Sequence, residues 1–306
     1  MIFSSLQKKI NILLIAIILI LGISCSKESI HSLEFNSENA FEYLKSIADI
    51  KNRHSGSEKA LQTVKLIEKI ITKIGIPIQL IEWEELTPGG KIKFRNISAI
   101  IKNSESEGWI VLATHYDTKK LENLDNFQGA NDGASGAALL IEISRVLWNN
   151  REKIRKNIEI IFLDGEECIF EYSKNDGLHG SKKHAITLKN EKRKINAVIV
   201  PDMLADKDLN AFTSADSDKK LTQLFMESVR ELGFEAYFQE GEKVMIDDHK
   251  PYSDLSFPSI LIIDFDYGPN NLYWHSSGDN ISNVSEKSLE ISGKTLIKFI
   301  EKLLND

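Results

Sequence analysis

The sequence predicts a single α/β domain built around a largely buried sheet. Three observations carry that prediction. Strand-length apolar runs alternate with helix-length stretches over some 200 residues downstream of Ile78, the pattern of a layered α/β fold. The runs are continuously apolar, as strands covered on both faces must be. A chain of 306 residues, 42% hydrophobic, with no internal repeat and no low-complexity linker supplies one sizeable core.

The elements follow in order. Lys8 and Lys9 precede an apolar run from Ile10 to Ile23, which closes on Ser24 and Cys25, a signal-peptide layout too short to span a bilayer comfortably. Cys25 after a small residue resembles a bacterial lipoprotein signal, although Gly22 stands where that pattern usually has Leu. Residues 1–25 are therefore expected to be a signal with a candidate lipidated Cys25, residues 26–36 a polar tether, and residues 37–306 the catalytic domain. The expected location is extracytoplasmic, with the protein held at a membrane by its N-terminus.

Phe41, Leu44 and Ile47 recur at helical spacing, and a second helix begins near Ser57 with Ala60, Val64, Ile67 and Ile71 on one face. Strands are expected at Ile78–Ile81, Ile97–Ile101, Ile110–Ala113, Ile158–Leu163, Ala197–Val200 and Ile260–Ile263. Helices are expected at Ala134–Trp148, Gly180–Leu188, Leu221–Leu232 and Ser285–Leu304. The Lys/Glu-rich piece from Asn190 to Lys194 reads as a solvated loop.

Charge narrows the function. With 38 basic and 45 acidic residues the formal charge is −7, and no segment interleaves Lys and Arg with aromatics, so nucleic acid is not an expected partner. If Cys25 is acylated, only Cys168 remains, and no intrachain disulfide can form. Cys168 reads as a small buried side chain, since no activating base is evident beside it.

The residues that carry chemistry lie at strand exits, where open α/β sheets place their ligands. The strand Ile110–Ala113 runs into His115 and Asp117, which share a face, and an imidazole backed by a carboxylate is a usual zinc ligand with its orienting partner. Residues 129–136 form a glycine-punctuated turn around Asp132, which could be either the N-cap of the following helix or a metal ligand. Glu166 and Glu167 follow the next strand directly, and adjacent carboxylates are costly to desolvate unless a cation offsets them. Asp202 exits another strand, and His275 sits beside Trp274 after the last. Together they supply two imidazoles and three or four carboxylates, a donor set for one or two zinc ions, with a glutamate to spare for proton transfer.

The order and identity of these segments resemble the family-28 metallopeptidases, a family of zinc aminopeptidases, and within that superfamily the animal-type glutaminyl cyclases. The likeness runs from about Arg53 to the C-terminal helix. It implies a phosphorylase/hydrolase-like fold, a single domain with a mostly parallel, mixed central sheet flanked by helices. It further implies that Asp132, Glu167 and His275 hold the principal zinc, that His115 and Asp202 occupy the second metal site of the aminopeptidases, and that Glu166 is the acid/base.

Three features resemble the cyclases. Residues 168–176 intervene before Gly177-Leu178-His179-Gly180-Ser181, Asp247 falls where a relay to the catalytic glutamate is implied, and Trp274 matches a pocket tryptophan. Two depart from them: Tyr172 stands in place of a second pocket tryptophan, and the 264–268 loop lacks the cyclases' aromatic. The resemblance thus implies an enzyme acting on the N-termini of peptides or proteins. The first reading is a one-zinc glutaminyl-peptide cyclotransferase, the alternative is a two-zinc aminopeptidase, and an inactive binding protein on the same fold is the remote third.

Overall fold

The computed structural model describes residues 33–103, 106 and 108–305. The signal reading, Cys25 and all of the tether before Leu33 lie outside the described residues, and no helix among those described is long and apolar enough to cross a membrane. Residues 32–306 form one compact unit.

An eight-stranded mixed sheet runs through that unit. In chain order its strands are β1 (Ile78–Thr87), β2 (Gly90–Ile101), β3 (Gly108–His115), β4 (Asn157–Leu163), β5 (Lys194–Asp202), β6 (Ala211–Thr213), β7 (Phe238–Glu240) and β8 (Ser259–Ile263). In space the order is β1-β2-β4-β3-β5-β8-β6-β7. The central strands β4, β3, β5 and β8 are mutually parallel, with β2 and β6 antiparallel to their inner neighbours. Every residue of β4 is buried, which explains a run without alternation. Because the four central strands point the same way, His115, Leu163, Asp202 and Ile263 all end at one edge of the sheet.

Helices cover both faces. They are α1 (Ser37–Ala48), α2 (Glu58–Ile74), α3 (Ala134–Asn149), α4 (His179–Asn190), α5 (Lys219–Leu232), α6 (Lys250–Asp254) and α7 (Glu286–Asn305). Helix α2 is capped by the Ser57 hydroxyl, which accepts the Ala60 amide at 2.9 Å, and buries Ala60, Val64, Ile67 and Ile71 along one stripe. It stops at Gly75, whose φ of +102° only glycine adopts freely. Helix α3 is buried nearly all round, between the sheet and helices α1, α2 and α7.

Several elements depart from the sequence expectation for definable reasons. Strands β1 and β2 extend well beyond their apolar ends into a projecting hairpin, where Glu84–Lys91 (2.5 Å) and Glu82–Lys93 (2.8 Å) pair across the strands. The apolar pattern fades there because both faces meet solvent. Strands β6 and β7 have three residues each, and α6 has five, all too short to show a period. In the segment read as a solvated loop, Arg193 reaches inward to the buried Glu159 at 2.6 Å and lies over the Trp109 ring.

Candidate active site

The strand edge gathers the chemistry. His115 is the last residue of β3, 1% exposed, and registers with Leu163 of β4. Two residues on, Asp117 lies 3.5 Å from His115 Nδ1 and accepts the backbone amides of Glu166 (3.3 Å) and Glu167 (3.4 Å). This one carboxylate ties the exit of β3 to the exit of β4. The Gly165 φ of +76° turns the chain out of β4 so that Glu166 and Glu167 project from the sheet edge.

Asp132 is no helix cap. The capping position of α3 is Gly133, with no side-chain cap bond, and the Asp132 carboxylate turns to the two histidines instead. A side chain at Gly133 would place its Cβ 2.5 Å from the Asp117 carbonyl and 3.1 Å from the His115 ring, so only glycine lets this loop close on β3. Asp279 accepts the amides of Asn131 (2.7 Å) and Asp132 (3.2 Å), and the fully buried Arg53 donates to the carbonyls of Tyr116, Gln128, Gly129 and Asp132.

Two donor clusters result, and Asp132 belongs to both. Its Oδ1 lies 3.3 Å from His115 Nε2, which is 3.2 Å from Asp202 Oδ1. Its Oδ2 lies 3.2 Å from His275 Nε2, which is 3.0 Å from Glu167 Oε1. In each triad the donor atoms lie within 4.8 Å of one another. Atoms held about 2.0 to 2.1 Å from a tetrahedral zinc stand roughly 3.3 Å apart, so these spacings suit the ion. A buried Glu167 Oε2 without a hydrogen-bond partner fits it as well.

Electrostatics give the same account. Burial works against charging the imidazoles, yet Asp132 and Glu167 push His275 up to about 10, and Asp202, Asp117 and Asp132 hold His115 well above its ordinary value. Burial likewise opposes an ionised Asp132, but hydrogen bonds from His115 and His275 keep its carboxyl below the usual range. The buried carboxylates draw positive charge into the site, and a metal cation answers that demand without protons.

Glu166 stands apart from both triads. Burial pushes its carboxyl well above the carboxylate range, with the charges of Glu167, Asp247 and Asp248 adding to the effect and His115 opposing it. The Tyr172 hydroxyl donates to Glu166 Oε1 at 2.8 Å. Asp247 is buried in the same cavity, where one of its carboxylate oxygens accepts the Asp248 amide and its charge adds to the rise of the Glu166 carboxyl.

The cavity, of about 240 Å³, lies over Glu166, Glu167 and Asp132 and is walled by Trp274, Tyr172, Phe265 and Ile246. Trp274 stacks on the His275 ring (3.9 Å, 22°), and Phe265 meets Trp274 edge-on at 4.9 Å. Phe265 therefore supplies an aromatic wall from the 264–268 loop. Cys168 is buried, with its sulfur 3.1 Å from Lys119 Nζ.

Sequence reasoning gave no role to Arg53, Asp279 or Phe265. Arg53 has no pattern around it, and its partners are backbone carbonyls that no sequence displays. Asp279 lay within the segment around His275, but its amide partners are some 150 residues away.

The sequence profile of peptidase family M28 matches residues 96–300. The chain belongs to that family. This M28 protein is also similar to solved structures and curated proteins. It superposes on the glutaminyl cyclase of an Acidobacteriales bacterium with a TM-score of 0.83 at 31% identity, over 89% of this chain and 95% of that one. A leucine aminopeptidase precursor from Bacteroides thetaiotaomicron shares the fold, with a TM-score of 0.78 at 22% identity over 88% and 97% of the two chains. The glutaminyl-peptide cyclotransferase of Drosophila melanogaster is 27% identical over 64% of this chain, and the match spans 61% of the fly protein. M28 is a zinc-dependent family, and the two triads are where this M28 chain can hold the metal.

Proposed function

We propose that this protein is a zinc-dependent glutaminyl-peptide cyclotransferase, converting an N-terminal glutamine to pyroglutamate with release of ammonia. The observation that carries this is an acid outside both metal triads, Glu166, facing a cavity of about 240 Å³ that accommodates a single side chain. The similarity to the Acidobacteriales glutaminyl cyclase, nearly end to end, supports the same reading.

Asp132, Glu167 and His275 would hold the zinc, whose Lewis acidity activates the glutamine side-chain carbonyl. The nucleophile is the substrate's own α-amine, already tethered, so positioning does much of the work. Its nitrogen bonds to the side-chain carbonyl carbon while the bond from that carbon to the amide nitrogen breaks. Glu166 takes the proton that the α-amine gives up and passes it to the departing ammonia. A carboxylate whose proton affinity is raised by burial suits that exchange, and the Tyr172 hydroxyl fixes its orientation. Trp274 and Phe265 wall the glutamine methylenes away from water.

Incubation with a glutamine-initiated peptide and weighing of the product test the reading. Loss of ammonia is the expected outcome. Gain of water with a freed amino acid overturns it in favour of an aminopeptidase, a reading favoured by the second triad of His115, Asp132 and Asp202. Metal analysis runs in parallel: one zinc per chain accompanies cyclisation, and two accompany hydrolysis. No product and no metal would leave a binding protein on this fold.

The same proposal places the protein outside the cytoplasm on a lipid anchor at Cys25, a reading supported by Lys8, Lys9 and the apolar run that Cys25 closes. Labelled fatty acid should enter the wild-type chain in a competent bacterial host and be lost in Cys25→Ala. An unlabelled wild-type chain leaves an ordinary signal.

A further inference from the structure

The catalytic cavity does not end at its aromatic wall. Phe265 and Met245, which line it, also line a cleft of about 650 Å³ on their other side. The cleft is lined by Asn210 and Phe212 at β6, by residues 239–243, which run from β7 into the segment after it, and by Asp266 and Asn270. Val244 and Ile246 line the catalytic cavity and are 61% and 56% exposed, so an apolar lip borders the way out of it.

The lining of the cleft carries a net negative charge. Glu240, Glu242 and Asp266 line it against the single cation Lys243. None of the three carboxylates makes an ion pair or a side-chain hydrogen bond with another described residue, in contrast to the hairpin glutamates, which are paired. Unpaired like charges around a concave surface favour a cationic occupant.

We propose that this cleft binds the residues following the N-terminal glutamine and selects substrates with lysine or arginine close behind it. The inference rests on the cyclase reading for the direction of the peptide. With the first side chain in the small cavity, a backbone continuing past the shared wall of Phe265 and Met245 reaches the cleft. The second side chain then meets Val244 and Ile246, and those after it meet the carboxylates. Because the carboxylates are exposed, each pairing is weak and screened by salt, and the preference arises from several acting together.

The test uses the full chain loaded with zinc and two peptides, Gln-Ala-Lys-Arg and Gln-Ala-Glu-Asp, each labelled at its C-terminus. Binding is titrated on Glu166→Gln, cyclisation is followed on the wild type, and glutamine amide serves as a substrate too short to reach the cleft. At low salt the basic peptide should bind roughly 5- to 20-fold more tightly and show a kcat/KM higher by a similar factor. The preference should shrink at high salt and in Glu240→Gln/Glu242→Gln, whose turnover of glutamine amide stays at the wild-type level. Equal affinity for the two peptides, or a preference that survives the double substitution, overturns the proposal. A binding preference with no cyclisation of any substrate leaves the cleft standing and sinks the cyclase reading alone.

Discussion

His115 and His275 approach the same carboxylate from opposite sides and are held there by opposite means. His115 closes a central strand, 1% exposed, with the β3–β4 ladder on its backbone and Asp117 behind its ring. His275 sits in a loop at a φ of +50°, its side chain 16% exposed, steadied by the Trp274 ring. Sheet geometry holds the first at no conformational cost. The second adopts a left-handed backbone that costs roughly 1 to 3 kcal/mol and must be offset by packing and by the metal. One half of the centre is scaffold, and the other half also forms the substrate wall.

Asp132 joins the halves, so its substitution is the sharpest way to break the comparison. Asp132→Asn should strip metal from both triads and lower turnover by more than the roughly 10- to 100-fold typical of losing a ligand's supporting partner. Full zinc content in that variant would mean that one half binds metal on its own. Next in size, Glu166→Gln should keep its zinc and lose on the order of 10² to 10⁴ in kcat, because Glu166 belongs to neither triad. Near-normal turnover would remove it from proton transfer.

Arg53→Met probes how the scaffold half is braced. Arg53 holds the carbonyl of Tyr116, after β3, together with those of Gly129 and Asp132. Leaving buried carbonyls unpartnered costs about 1 to 3 kcal/mol each, so a drop in urea-unfolding stability of about 3 kcal/mol is expected. An unchanged urea midpoint would show that water replaces the guanidinium.

The smallest effect belongs to the loop half and to pH. Burial pushes the Asp264 carboxyl up to about 7 at the end of β8, where it accepts the Asn210 amide at 2.8 Å. The native chain thus keeps a proton there that the unfolded chain releases near 3.9. Its stabilising contribution is complete below about pH 4 and is lost as pH rises to about 7. Asp264→Asn should flatten that fall by roughly 2 to 3 kcal/mol at most, read as the difference in unfolding free energy between pH 5 and 8. An undiminished slope would assign the titration elsewhere.

The scaffold half was the more legible in the sequence. Continuous apolar runs marked β3, β4, β5 and β8, and the residues near their exits were recognisable as donors only as a set, because a single imidazole or carboxylate at a strand exit serves equally well as a structural hydrogen-bonder or cap. The loop half was less so. Phe265 became part of the pocket only through its edge-on contact with Trp274, and the charge of Asp247 reaches Glu166 only because the fold buries both in one cavity. Strands β6 and β7, which contribute residues to the acidic cleft, were too short to leave a period.

By itself the sequence determined the layered α/β class, the largely buried sheet and the donor types available at each strand exit, because periodicity and side-chain chemistry are local properties. Tertiary structure alone decided that Asp132 divides its two oxygens between two histidines, that Arg53 and Asp279 brace its loop, and that a cleft lined by three carboxylates lies against the wall of the catalytic cavity. Those are distances between residues far apart in the chain, and they exist only once the sheet has set its strand order.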